Sequence, residues 1–166
     1  MTGYKNVVIE PLSSIHDRSG FLCGESALDS YIKRQAKQDV KRRVSRVFVA
    51  IETDNPSCIV AYYTLSTLSI ELSHLPQSLA RRLPKHPIPA ALLGRLAVSQ
   101  HAQGAGVGSI LVADAIKRIL SVSDEIAIYA VVVDALNEGA GHFYQQFGFL
   151  SLTTGIQRLF LPLKSF

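Results

Sequence analysis

Cysteine, charge and unbroken apolar runs are all scarce in this chain of 166 residues, and each scarcity removes a class of protein. Cys23 and Cys58 lie far apart and form neither a C-x-x-C pair nor a histidine-partnered spacing, which excludes a disulfide framework and a thiolate metal site. Both read as small buried or half-buried residues. The histidines, His16, His74, His86, His101 and His142, fall into no triad or ligand pattern, so no metal is expected; His101, just before the glycine-rich loop described below, is a surface residue within reach of an anion. No basic segment followed by an apolar one opens the chain, and charges or glycines interrupt its apolar stretches. Neither a signal peptide nor a membrane span is therefore expected, and the expected location is the cytoplasm. Repeats and linkers are also missing, leaving 1–166 as one expected domain. With 18% charged and 48% hydrophobic residues, that domain folds around a core.

The charge that is present is unevenly placed. The net value of +4 is moderate, but Lys33, Arg34, Lys37, Lys41, Arg42, Arg43 and Arg46 fall in one stretch, and Arg81, Arg82, Lys85 and His86 in another. Acidic residues are sparse around both. Such runs suit contacts to phosphate backbones, and equally suit a solvated helix face.

The most specific stretch is 92–120. Residues 92–98 are short, apolar and rich in strand formers, and 107–120 place Asp114, Lys117 and Arg118 at helical spacing, so the segment reads strand, loop, helix. Between them Gln103, Gly104, Ala105, Gly106, Val107, Gly108 and Ser109 bring backbone N–H groups to a helix N-terminus, a place for an anion such as a pyrophosphate. A P-loop would need Lys and then Ser or Thr after its last glycine, but Gly108 is followed by Ser109 and Ile110. A dinucleotide fingerprint would need G-x-G-x-x-G, but the spacing here is G-x-G-x-G.

Gln103, Gly106 and Gly108, just after the L-A-V strand of Leu96, Ala97 and Val98, resemble the Q/R-x-x-G-x-G/A turn of the GNAT acetyltransferases. A second match follows the apolar run 126–133. Asn137 and then Phe143-Tyr144, closed by Phe147-Gly148-Phe149, are similar to that family's last helix and its F-Y-x-x-x-G-F ending, with Tyr144 in the place of the catalytic tyrosine.

The remaining elements are read from periodicity. A strand at 7–11 precedes a helix over 25–41 that carries Leu28, Tyr31, Ile32, Ala36 and Val40 on one face and Lys33, Lys37 and Lys41 on another. Strands at 47–52 and 59–68 flank the turn-forming cluster 53–57 as a hairpin. The prolines of 76–89 exclude a continuous helix or central strand and suggest a loop over the active-site side. Short strands at 150–152 and 158–163, around Thr153-Thr154-Gly155, close the chain. The order is β-α-β-β-β-α-β-α-β-β, an α/β fold of about six to seven strands in a mixed sheet flanked by helices, which agrees with what the GNAT resemblance implies.

Within that family the chain resembles the acetyltransferase toxins of type II toxin–antitoxin modules, the TacT and AtaT kind. The likeness runs through Phe21-Leu22-Cys23-Gly24, Leu28-Asp29-Ser30-Tyr31, Arg46-Val47-Phe48-Val49, 61–66, Pro87-Ile88-Pro89 and 92–98. It implies acetyl-CoA as donor, an aminoacyl-tRNA as acceptor in a basic groove, homodimerisation, and neutralisation by a ribbon-helix-helix antitoxin through which alone operator DNA is reached. It also implies that the 96–98 backbone, the 103–109 loop, Asn137 and Phe143 hold acetyl-CoA.

The chemistry can be weighed separately. Acetyl transfer from a thioester needs a neutral amine, donors for the developing oxyanion and an acid for the departing thiolate. Backbone N–H groups at 96–98 suit the oxyanion, and Tyr144 suits the sulfur, unless it is an ordinary core tyrosine. Many GNAT members carry a glutamate before the L-A-V strand, but here Gly94-Arg95 stands in its place. A lysine with pKa near ~10.4 is almost wholly protonated at neutral pH, whereas an α-amine near ~7.7 is substantially neutral. The missing base therefore favours an α-amine. Arg95 is left to meet a phosphate or to pack structurally. Two alternatives stay open: an acetyltransferase for small amines or protein N-termini, and a CoA-binding module without catalysis. Gly139 and Gly141 suggest that the helix after Asn137 starts late.

Overall fold

A computed structural model describes residues 6–85, 87–152 and 157–165; His86 and the turn expected at 153–155 lie outside the described residues. In chain order the elements are β1 (Val7–Pro11), α1 (Ser26–Ser30), a π-helical turn (Tyr31–Gln35), α2 (Ala36–Lys41), β2 (Arg46–Glu52), β3 (Ala61–Ile70), α3 (Gln77–Ala80), β4 (Ile88–Val98), α4 (Val107–Val122), β5 (Ala130–Asp134), α5 (Glu138–Gln145), β6 (Leu150–Ser151) and β7 (Arg158–Pro162). The strands are hydrogen-bonded in the order β1-β2-β3-β4-β5-β7-β6. The β4–β5 pair is parallel, the connection that requires a crossover, and α4 supplies it.

The chain divides into two compact units, Met1–Ser66 with Arg95–Lys117, and Thr67–Gly94 with Arg118–Phe166. In the first, β2 pairs antiparallel with β1 and with β3, and residues 47–51 are buried without alternation, as in a strand covered on both faces. Phe21, Tyr31, Ile32, Val49 and Tyr62 form its core, with the Tyr62 ring edge-on to Phe21 at 5.4 Å and stacked on Tyr31 at 6.2 Å. The Tyr62 hydroxyl donates to the Leu28 carbonyl at 2.7 Å, so this buried ring is satisfied. In the second unit, β5 lies between β4 and β7 over a core that includes Ile70, Ile88, Val132 and Phe160.

Three sequence expectations are corrected. The expected 25–41 helix is interrupted by the π turn, where the Ala36 N–H bonds to the Tyr31 carbonyl. The strand expected at 126–133 begins only at Ala130, because the Ile126 N–H still bonds to the Val122 carbonyl and Ile126 is 66% exposed. The segment 76–89 is not all loop: Pro76 caps α3, and Pro89 lies inside β4, exposed near its start, where a missing N–H is tolerated. Among the described residues no helix is long and apolar enough to cross a membrane, and no group of three His, Cys, Asp or Glu side chains is placed to hold a metal.

Candidate active site

Where β4 ends, the chain turns through Gln100–Ala102 and then through Gly104 and Gly106, at φ +80° and +84°, into Val107. A side chain would meet no atom within 4 Å at either glycine, so backbone conformation and not crowding requires glycine there. The loop is held by a strut: the Gln103 side-chain amide donates to the carbonyls of Cys23 at 2.8 Å and Val98 at 2.9 Å. Gln103 therefore positions the loop through its amide nitrogen. The same Cys23 donates its N–H to the Asp29 carboxylate at 2.7 Å, and the Gln100 N–H bonds to the Leu22 carbonyl at 2.8 Å. A line of hydrogen bonds thus runs from α1 through Cys23 to the loop.

The loop opens a helix of 16 residues with no acidic side chain in its first turn. The first N–H groups of a helix have no partner within it, and the positive end of its dipole adds to them. Gly108 is half-buried and Ser109 exposed, Ala105 is half-buried and Val107 buried, so the turn offers backbone rather than bulk. This donor set fits a pyrophosphate. Leu96 and Val98 are half-buried and Ala97 is buried beside the strut.

In the second unit, α5 starts directly after Asn137, whose side-chain oxygen accepts the Ala140 N–H at 2.8 Å. The expected late start is not found, because this cap offsets the helix cost of Gly139 and Gly141. A Cβ at Gly139 would come within 3.3 Å of the capping oxygen, so that glycine leaves the cap its room. Asn137, which the family resemblance assigns to acetyl-CoA, therefore acts in this structure as a helix cap.

Tyr144 is buried and packs edge-on to Phe143 at 5.2 Å and to Phe149 at 5.7 Å. Burial, helped by the negative charge of Asp134, pushes its phenol up to about 12, so the group keeps its proton at neutral pH. Arg158 holds Asp134 with two hydrogen bonds, at 2.6 and 2.9 Å, directly across the β5–β7 ladder.

The basic residues separate by unit. Lys33 is half-buried and Lys37, Lys41 and Arg42 are exposed along the first helices, whereas Arg81, Arg82 and Lys85 are exposed after α3 in the other unit. Arg95 lies over the Tyr31 ring, 3.7 Å from its centroid, so of its two sequence readings the structure displays the packing one. The Tyr31 hydroxyl donates to Asp39 at 2.8 Å, and Gln35, Tyr31, Arg95 and Arg42 together hold the Asp39 carboxyl below the usual range. Asp29, Asp134 and Arg158 were not legible as site residues. Asp134 and Arg158 are 24 positions apart, and only the strand register reveals them as partners.

Residues 23–149 match the acetyltransferase (GNAT) family. The chain is 33% identical to a probable toxin TacT of Sinorhizobium fredii and 35% identical to a tRNA-acetylating toxin of Mycobacterium tuberculosis, each alignment covering 99% of this chain and 95% of the relative. Among solved structures, a tyrosine-to-phenylalanine mutant of KacT superposes with a TM-score of 0.92 at 33% identity over 97% of both chains. AtaT complexed with acetyl-methionyl-tRNAfMet gives 0.90 at 32% over 96% of both. A mutant AtaT toxin bound to the C-terminus of the antitoxin AtaR and to acetyl-CoA gives 0.82 at 30%, over 97% of this chain and 96% of that one.

Proposed function

The chain belongs to the GNAT acetyltransferase family, acetyl-CoA-dependent N-acetyltransferases, and within it we propose that this protein is the toxin of a type II toxin–antitoxin module, acetylating the α-amino group of an aminoacyl-tRNA and so blocking translation. The observation that carries the reading is the likeness, over 96% of the chain, to AtaT complexed with acetyl-methionyl-tRNAfMet. Gly94-Arg95 in place of a carboxylate supports an acceptor amine that needs little help to lose its proton.

In this reading acetyl-CoA supplies an activated acetyl thioester. The 104–109 backbone and the start of α4 hold its pyrophosphate, with Gln103 keeping that loop in shape. The acyl end is assigned to the backbone N–H groups of Leu96, Ala97 and Val98, which would take up negative charge developing on the thioester oxygen, and Phe143 is a further acetyl-CoA contact. The neutral α-amine attacks the carbonyl carbon, the carbon–sulfur bond breaks, and Tyr144 gives its proton to the departing sulfur. Water then takes the proton released by the amine. Lys33, Lys37, Lys41, Arg42, Arg81, Arg82 and Lys85 meet the tRNA backbone. The partners are a second copy of this chain and a ribbon-helix-helix antitoxin that contacts operator DNA; the AtaT–AtaR complexes support the antitoxin. The cytoplasm, where charged tRNA is found, is its place of action.

The test is acetyl transfer from labelled acetyl-CoA to a total pool of charged tRNA, with uncharged tRNA and a lysine peptide in parallel. Label on charged tRNA alone is expected. Label on the peptide would replace the reading with a protein or small-amine acetyltransferase, and label on none would favour a CoA-binding module.

A further inference from the structure

The loop after β1 and the outer face of α2 enclose a cavity of about 230 Å³ lined by Leu12, Ser13, Ser14, His16, Arg18, Lys37 and Val40. All of these residues belong to the first unit. His16 closes its floor with a fully buried side chain: Nδ1 accepts the Ser13 N–H at 3.0 Å, which places the ring proton on Nε2, 2.7 Å from a Glu10 oxygen. The imidazole is thus spent on holding the loop, and the Glu10 carboxylate on the imidazole.

The other nearby carboxylates are also engaged. Asp17 accepts from the N–H and hydroxyl of Ser19, and Asp39 from Tyr31 and Gln35. Arg18 is half-buried, its guanidinium donating to the Lys33 carbonyl at 3.5 Å, and among the described residues neither Arg18 nor Lys37 has a carboxylate partner. Two cations and two exposed serines therefore border one cavity whose lining, among the described residues, contains no acid. A half-buried guanidinium without a counter-charge is costly, and a bound anion would offset that cost. Leu12 and Val40 add an apolar wall that suits a sugar or a base.

We propose that this cavity is a seat for one RNA phosphodiester, with Arg18 and Lys37 on the phosphate oxygens, Ser13 and Ser14 as further donors, and the adjoining nucleoside against Leu12 and Val40. Lys33 and Lys41, on the same helical stretch, continue the track on either side of Lys37. The assignment rests on the tRNA reading above and adds Arg18, Ser13 and Ser14, which belong to neither basic run. Phosphate contacts are counted by salt: each lost contact lowers the slope of log affinity against log salt by about 1.

The experiment measures the affinity of purified total tRNA for the full chain by fluorescence anisotropy across a salt series, for the natural protein, Arg18→Ala, Lys37→Glu and the double variant, with Lys117→Ala as a control. Acetyl-CoA affinity checks folding, and Lys37→Glu, at an exposed helix position, guards against an Arg18 variant that fails to fold. The expected result is a slope about 2 lower in the double variant and about 1 lower in Lys37→Glu, with Lys117→Ala and acetyl-CoA affinity unchanged. Salt-dependent tRNA binding with the same slope in all variants would overturn the seat and leave the tRNA reading standing. If the natural chain shows no salt-dependent tRNA binding, the tRNA reading itself falls. Variants that lose only inorganic phosphate, or only an acidic peptide, at an unchanged tRNA slope would reassign the cavity and refute the proposal.

Discussion

Arg158 grips Asp134 through both oxygens, Nε to Oδ1 at 2.6 Å and Nη2 to Oδ2 at 2.9 Å, at the end of β5 from which the chain turns to α5. Next to this pair the Ala135 N–H bonds to the Gln157 carbonyl at 2.8 Å, so the departure point of the helix that carries Tyr144 is tied on two successive residues. Asp134 is also the charge that pushes the Tyr144 phenol in the same direction as burial does. In the proposed mechanism Arg158 would therefore be a positioning residue for Tyr144. Arg158→Gln leaves the Asp134 charge unmatched and should raise the Tyr144 pKa further, while Asp134→Asn should lower it. A ¹⁹F NMR titration with 3-fluorotyrosine at position 144 reads both directions. The kcat of Arg158→Gln should fall about 10-fold with KM for acetyl-CoA little changed; no movement in either readout would refute the assignment.

Tyr144→Phe keeps the ring that packs on Phe143 and Phe149 and removes only the hydroxyl. Transfer should fall by roughly 10² to 10⁴, the range of a lost general acid, while the melting temperature holds. With a phenol pushed up to about 12, Tyr144 stays protonated throughout the working range, so its titration gives no basic limb below about pH 10. The rate should instead rise as the α-amine loses its proton near ~7.7 and then stay level. Single-turnover rates on a minihelix charged through a stable 3′-amide would show this. A downturn below pH 9 that Tyr144→Phe abolishes would contradict it.

Gln103→Leu removes both hydrogen bonds of the loop strut while approximately keeping side-chain volume. Because the amide nitrogen is committed to the Cys23 and Val98 carbonyls, the expected effect is indirect: KM for acetyl-CoA rises 5- to 50-fold through a loosened turn. The fold should lose about 0.5–1.5 kcal/mol, since the bond to the Cys23 carbonyl is only part-buried and the bond to Val98 is exposed. Isothermal titration with CoA and urea unfolding separate the two effects.

Acid should weaken the same line of hydrogen bonds. Burial pulls the Asp29 carboxyl upward, but the N–H groups of Cys23 and Gly24, the Cys23 thiol and the charge of Lys33 hold it below its ordinary value. A lowered folded-state pKa gives stability that is present above the unfolded value, about 3.9, and is lost as pH falls through the folded one. Urea midpoints should therefore drop steeply below pH 4 in the natural protein and less steeply in Asp29→Asn.

Much of this architecture was legible because two periodicities were clean. The G-x-G-x-G turn between an apolar strand and an amphipathic helix fixed the loop and α4, and the Phe143-Tyr144 ending fixed α5. Pairings set by register were not legible: Asp134 and Arg158 meet only because β5 and β7 run antiparallel with those two residues opposite. The start of α5 was misjudged because propensity counts Gly139 and Gly141 as costs, whereas the Asn137 cap contributes about 1 kcal/mol in the other direction. Arg95 carries two readings in the sequence because the Tyr31 ring beneath it is distant along the chain.

That π turn takes up one residue more than ordinary winding and sets the phase of the helix that follows it. Each residue of an α-helix advances the side chain by about 100°. Relaxing the turn to ordinary winding at unchanged length, or adding a further residue within Tyr31–Gln35, would rotate everything after it, taking Asp39 off the Tyr31 hydroxyl and Lys37 out of the cavity it lines, whereas losing one residue there would close the turn and keep that phase. In a collection of natural variants, this short interval should accept substitutions freely at its exposed positions, and the loss of one residue more readily than a gain.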